Sequence, residues 1–271
     1  DQGDTTTLGR GGTDLTAALI ANGLDATEVR YYKEVEGFLS ADPTIVEGGH
    51  HIEHMTYDEV AELSFFGAKI LHPIAIRPLR EKSIPATLRS FFAPRKAGTL
   101  VDNEAPDVGP NSWALTSLKN VALVTVEGSG LLDNPGIAAR VFAATARAEA
   151  SVLMISQSSS ERNICFVVPE QELDEVKAGL ERELELDLIK GGVERIETRR
   201  ELAILCAVGR SLRSHPEMGA TVLSALAKEK IEVQLLARGG SLLNLSCVVA
   251  MEKLAVALNS VHSALTTFSR K

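Results

Sequence analysis

The chain has 271 residues, 45% hydrophobic and 24% charged, with a net charge of −8. That length suits about two domains with substantial cores, and the composition is that of a soluble globular protein. The acidic balance disfavours a nucleic-acid or anionic-membrane partner, no apolar run approaches the ~20 residues that cross a bilayer, and the N-terminus lacks a signal-peptide pattern, so a cytoplasmic setting is expected.

Cys165, Cys206 and Cys247 sit in apolar, strand-like runs without CxxC spacing or clustered histidines. They read as buried free thiols in a reducing compartment, and no metal-ligand set is expected. The chain begins at Asp1, without a methionine, just before the strand-like run Thr5–Leu8. That start is read as the remainder of a longer chain.

In chain order, Thr5–Leu8, the glycine loop Gly9–Gly12 and the run to Ala21 read as strand, loop and helix. Thr13 or Asp14 can cap the helix, Leu15, Ala18 and Leu19 recur at helical spacing, and Asn22-Gly23 ends it. Bare glycine backbone at a helix start offers N–H groups to an anion, and Arg10 adds a planar fork for a carboxylate or phosphate. A strand is expected over 29–35, a loop over 38–43, a helix over 57–66 capped at Thr56, a second helix over about 74–82 and a strand over 85–90. Alternating strands and helices argue an α/β layer fold. Pro, Gly and charge crowd residues 93–98 and 102–111, which places a domain boundary at 102–112.

Beyond it the chain repeats itself at a constant offset of 81: Gly128 falls on Gly209, Pro135 on Pro216, Val141 on Val222 and Asn163 on Asn244. Each copy reads as a βαββαβ, ferredoxin-like unit. The first has strands over 121–126, 151–156 and 163–168, a helix over 136–149, a second striped by Leu173, Val176, Leu180 and Leu184, and a last strand over 193–197. The second has 202–208, 218–230, 232–237, 243–249 and 253–266, and then ends without a final strand. That unit must leave an edge open or borrow cover from a neighbour. Gly136 leaves backbone N–H groups at a helix start free for an amino-acid carboxylate, with Asp133 and Asn134 beside it, Gln157 and Ser158 at a strand end, and Leu131, Ile137 and Val152 as walls. The second copy has Glu217, Ser214 and Arg238 where the first has Gly136, Asp133 and Gln157. It is therefore expected to be structural, and the first copy to bind the ligand.

Three segments, TTTLGRGGTD from Thr5, EVEGFLSADP from Glu34 and SFFGAKILHP from Ser64, resemble aspartate kinase in order and spacing, and the repeat resembles that family's tandem ACT regulatory region. The resemblance implies a partial amino-acid-kinase α/β sandwich over 1–101, a linker over 102–112, and ACT domains over 113–200 and 201–271. It implies ATP-dependent phosphorylation of the aspartate side chain, with ATP and Mg2+ as the cofactor in the complete enzyme. Arg10, flanked by Thr7 and Thr13, would hold the substrate carboxylate, and Asp14 would organise the reacting centre. Lys33, Glu34, Leu39 and Lys69 would face the nucleotide. Leu131, Asp133, Asn134, Gly136, Ile137, Ala138, Val152, Gln157 and Ser158 would bind an amino-acid effector, lysine or threonine. The family's edge-to-edge ACT packing implies a homodimer. This chain departs from the family at Lys33-Glu-Val-Glu-Gly37, where Thr-Asp-Val-Asp-Gly is usual, and at Thr44, where an arginine is usual. The family's N-terminal Lys-Phe-Gly-Gly loop is not in the sequence. A non-catalytic amino-acid sensor with a degenerate kinase remnant is the competing reading, and another amino-acid kinase is a weaker one, opposed by the tandem repeat.

Overall fold

A computed structural model describes residues 8–9, 11–68, 70–103, 112–131, 136–157 and 162–269. The first part holds helix α1 (Gly12–Gly23), strand β1 (Val29–Lys33), β2 (His54–Thr56), α2 (Tyr57–Phe65), α3 (Ile76–Glu81), β3 (Ala86–Ser90) and β4 (Thr99–Asp102). The sheet order is β1-β3-β4-β2, with β1 parallel to β3, β3 antiparallel to β4 and β4 parallel to β2. The expected strand Thr5–Leu8 falls almost wholly outside the described residues. Strands β2 and β4 are absent from the sequence-based expectation: one has three residues and the other abuts the Pro/Gly-rich boundary, too short for a period-2 pattern. Thr56 caps α2 as expected, in a capping box with Glu59. At α1 neither Thr13 nor Asp14 caps. Gly11 precedes the helix in a left-handed conformation with no side-chain cap, because the Asp14 carboxylate is engaged elsewhere.

The second part is one sheet of order β6-β7-β5-β8-β10-β9, built from β5 (Ala114–Glu127), α4 (Ile137–Arg147), β6 (Met154–Gln157), β7 (Asn163–Pro169), α5 (Leu173–Glu183), α6 (Glu185–Ile189), β8 (Arg195–Val208), α7 (Arg210–Ser214), α8 (Glu217–Lys228), β9 (Leu235–Ala237), β10 (Asn244–Ala250) and α9 (Leu254–Phe268). Two expectations change. The strand expected at 121–126 runs over Ala114–Glu127, and the strands expected at 193–197 and 202–208 are one strand, β8. These two 14-residue strands pair antiparallel along their length, Ala114 facing Val208 at one end and Glu127 facing Arg195 at the other. Each serves both units. Residues 121–127 and 195–199 belong to the first copy, while 202–208 open the second and 114–119 close it. The final strand that the second copy lacks in sequence is thus supplied from ahead of the first, and the open edge that favoured a partner subunit is filled within the chain.

The 81-residue offset is written in the backbone too. Asn120 and Glu201 both take positive φ, 57° and 56°, at the irregularity where β5 and β8 change unit, and Glu149 and Lys230 share φ 53° after α4 and α8. The repeated glycine has a steric cause. A Cβ on Gly128 would lie 2.2 Å from the Gly192 carbonyl oxygen, and one on Gly209 would lie 2.0 Å from that of Ser112. In both copies the chain entering the closing strand crosses this glycine.

Helices α4 and α5 bury Ile137, Val141, Val176 and Leu180 against one half of the sheet, and α8 and α9 bury Met218, Val222, Val261 and Leu265 against the other. The opposite sheet face, with Leu123, Leu202, Ile204 and Val208, joins the kinase-side core of Leu63, Phe66 and Leu71 in one apolar cluster. The three cysteines are free thiols, and burial pushes the Cys247 thiol up to about 12, which keeps it protonated and inert.

Polar contacts fix the two parts together. Glu59, 1% exposed, accepts from Thr56 N and Thr56 Oγ1 with Oε2, and its Oε1 accepts from Arg210 N at 2.7 Å and Arg210 Nε at 3.2 Å. One buried carboxylate therefore caps a kinase-side helix and holds the strand end of the second ACT copy. The Asn244 side chain donates to Glu62 Oε2 at 2.6 Å on the same helix. Nearby, Ser40 Oγ lies 2.9 Å from His262 Nε2 on α9, and the rings of His50 and His262 meet Trp113 edge-on.

Two predictions follow from this interface. Arg210→Met leaves Glu59 buried without its cation and lowers the urea-unfolding stability by about 3–5 kcal/mol, and adding Glu59→Gln recovers part of that loss. Burial, reinforced by the nearby His50, holds His262 below its ordinary pKa of 6.5. The stability that its neutral form supplies is full above pH 6.5 and lost as pH falls below that value, because the unfolded chain takes up the proton first. Denaturant midpoints at pH 7.5 and 5.5 will therefore diverge less in His262→Gln than in the wild type.

Candidate functional site

The site in the first part of the chain forms where the first turn of α1 meets the end of β1. Asp14 is buried in that turn. Its Oδ1 lies 2.6 Å from Lys33 Nζ, its Oδ2 accepts from the His72 backbone N–H at 3.3 Å, and its carbonyl accepts from the Tyr31 hydroxyl at 3.1 Å. Burial, with the Asp14 charge beside it, pushes the Tyr31 phenol well above its usual range, so it remains a donor. The structure thus joins Asp14 and Lys33, which the sequence reading placed at the reacting centre and at the nucleotide edge. Thr13 and Glu34 are exposed at its rim. Thr7, Arg10 and Lys69 lie outside the described residues.

The departures in this region are also placed. Glu36 faces outward in an ion pair with Lys96 at 2.7 Å. Thr44 donates both its backbone N–H and its hydroxyl to Asp42 Oδ1, at 2.9 and 2.7 Å, and so locks a local turn.

A cavity of about 600 Å3 is lined in the first part of the chain by Val35, two residues past Lys33, and by Leu39, Ala68 and Ile70, among others. Leu39, expected to face the nucleotide, is thus among the lining residues. The opposite wall is regulatory strand β5, residues Leu115–Asn120, which the sequence reading had not given a site role. Strand β5 begins at this cavity and ends at Glu127, one residue before the Gly128 loop of the first ACT copy.

In the first copy, Gly136 (φ 99°) precedes α4 and, having no side chain, supplies no cap to the first N–H groups of the helix. Ile137 is buried, and Ala138 and Val152 pack on the same cluster. Gln157 is exposed at the end of β6. Asp133, Asn134 and Ser158 lie outside the described residues, as does the side chain of Leu131, whose backbone closes a short 3-10 turn. The second copy is filled differently. Arg238, at the position equivalent to Gln157, donates to the Leu212 carbonyl at 2.6 Å and to that of Leu242 at 3.4 Å. Its own guanidinium occupies the carbonyls of the loop. The Glu59–Arg210 pair was not anticipated either, although the repeat carried a signal: the arginine directly after Gly209 stands where the first copy has Ser129.

Comparison with known proteins fits this division. The amino acid kinase family matches residues 1–90, and the ACT domain matches twice, over 124–184 and 205–265. The chain is 37% identical over 262 residues to the chloroplastic bifunctional aspartokinase/homoserine dehydrogenase 1 of Zea mays, a match covering 95% of this chain and 28% of that protein. It is 31% identical to the chloroplastic aspartokinase 3 of Arabidopsis thaliana, covering 96% of this chain and 46% of the relative. The chain thus spans under a third of the first relative and under half of the second. Among solved structures, it resembles the aspartate kinase of Clostridium acetobutylicum with TM-score 0.85 and 25% identity over 97% of this chain and 60% of that one. It resembles E. coli aspartokinase III in complex with aspartate and ADP with TM-score 0.80 and 31% identity over 98% of this chain and 58% of that one. The lysine- and aspartate-bound structure of the same enzyme gives TM-score 0.73 over 57% of its chain.

The Asp14–Lys33 pair is largely buried, so Lys33→Met strips a charge-assisted hydrogen bond from a carboxylate with little access to water. The variant should lose about 1–3 kcal/mol of stability in denaturant titration, and Lys33→Arg less.

Proposed function

The chain belongs to the aspartate kinase family, and on that premise we propose that it is the nucleotide-side and regulatory part of an enzyme that transfers the γ-phosphoryl of ATP to the side-chain carboxylate of L-aspartate. The observation that carries this reading is the Asp14–Lys33 pair at the start of a glycine-loop helix, beside a cleft lined by Leu39. Phosphoryl transfer to a carboxylate needs positioning and charge stabilisation more than covalent help from the protein. Arg10, with Thr7 and Thr13, would take the substrate carboxylate. Asp14 would orient the reacting groups, and the Lys33 ammonium against it limits the negative charge that gathers when aspartate and ATP meet. Glu34, Leu39 and Lys69 would border the nucleotide. Among the described residues no group of three or more His, Cys, Asp or Glu side chains could hold a metal. Mg2+ would come with the nucleotide's phosphates, a mode in which one or two protein carboxylates suffice.

The same reading makes the first ACT copy the receptor for an amino-acid effector, lysine or threonine. The uncapped start of α4 would take the carboxylate, with Asp133, Asn134, Gln157 and Ser158 around it and Leu131, Ile137, Ala138 and Val152 beneath. Arg238 filling the second copy supports one effector per chain. The ACT pair would report that effector to the kinase side through Glu59–Arg210, and a homodimer through the ACT faces in the cytoplasm remains part of the proposal. The outward Glu36, paired with Lys96 away from the Asp14 site, favours a working kinase over a sensor with a degenerate remnant.

Thermal melting with lysine, threonine and methionine tests the receptor. A bound effector at 100 times its dissociation constant adds about 2.7 kcal/mol and raises the midpoint. The shift should persist in Arg238→Ala and vanish in Gly136→Glu. No shift with any of the three amino acids overturns the effector reading.

A further inference from the structure

We propose that Lys119, on regulatory strand β5, binds the nucleotide's phosphate chain. The inference rests on the nucleotide-side reading of the cleft and adds a residue from the other half of the protein. The cleft is apolar over most of its wall, with Leu39, Ile70 and Leu118 suited to a flat heterocycle. Its charged described lining residues are Asp42 and Lys119. Asp42 is committed to its turn with Thr44. Lys119 is exposed and has no ion-pair partner among the described residues. Lys33, at the end of β1 two residues before the lining residue Val35, is held by Asp14. Thr44, where the family's arginine would stand, carries no charge. An apolar slot that, among the described residues, carries an uncommitted ammonium at its polar rim matches a base with an anionic tail, and a lysine contacts phosphate as a flexible point charge.

The placement also joins binding to regulation. Lys119 directly precedes Asn120, the left-handed residue at which β5 passes from the second ACT unit to the first. A nucleotide held by Lys119 therefore touches the strand that leads to the effector loop, with no side-chain relay between them.

Calorimetric titration of the 271-residue chain with ADP and with adenosine tests this. Lys119→Gln should bind ADP about tenfold more weakly, the worth of one charge-assisted contact, with adenosine affinity unchanged and Lys119→Arg close to wild type. The gap between wild type and Lys119→Gln should narrow as salt is raised. Equal ADP affinity in wild type and Lys119→Gln overturns the proposal. So does a parallel loss for ADP and adenosine, which would mark a packing role. If the folded wild type, verified by its melting transition, binds neither compound, the nucleotide-side reading itself fails and takes this inference with it.

Discussion

The antiparallel pairing of β5 with β8 is the constraint on which the rest of the regulatory half depends. Each strand has 14 residues, and each is divided between two ferredoxin-like units by a left-handed residue, Asn120 in one and Glu201 in the other. Both lie at the register shifts between the two strands, and each unit receives two adjacent half-strands at its centre and edge. The helices then have no choice of side: α4 and α5 cover one half and α8 and α9 the other, while the inner face is left for the kinase-side core. Gly128 and Gly209 admit the incoming chain at each end of this arrangement.

The second constraint is the single carboxylate of Glu59. A buried ion pair adds little net stability against an apolar replacement, but breaking it is costly, so it holds one geometry strongly. Here that geometry is the position of α2 relative to the end of β8. An effector acts on the kinase side only through a difference in affinity between two arrangements. Glu59–Arg210 and the β5 wall of the cleft are the contacts that such arrangements would have to keep or exchange.

Much of this was legible in the sequence, and the exceptions have physical causes. The helices announced themselves by spacing and caps, and the repeat by its unvarying offset. The unit boundary was blurred because strands carry no mark of where one unit hands over to the next: the boundary expected between residues 200 and 201 falls inside the single strand β8. The closing strand 114–119 was missed for a related reason, since sequence adjacency said nothing about a partner some ninety residues downstream. At the site, Lys33 was expected at the nucleotide edge and Asp14 at the reacting centre; their ion pair joins a helix start to a strand end, a contact that only the fold brings together. Arg210 and Arg238 could be seen as differences between the copies, but not the carboxylate and carbonyls they meet.

The loan of residues 114–119 makes the two ACT units a closed ring of two repeats rather than two beads on a string. The segment ahead of the first repeat latches the last one, so neither can be excised whole: a cut at residue 120 removes a strand from the second, and a cut at 201 leaves β8 divided. Such a ring loses its hydrogen-bonded ladder in one step rather than unit by unit, so the pair forms one cooperative block. It also accounts for how the two copies could diverge so unevenly. With both sharing one scaffold, the second fills its own loop with Arg238 while its closing strand, residues 114–119, comes from ahead of the first.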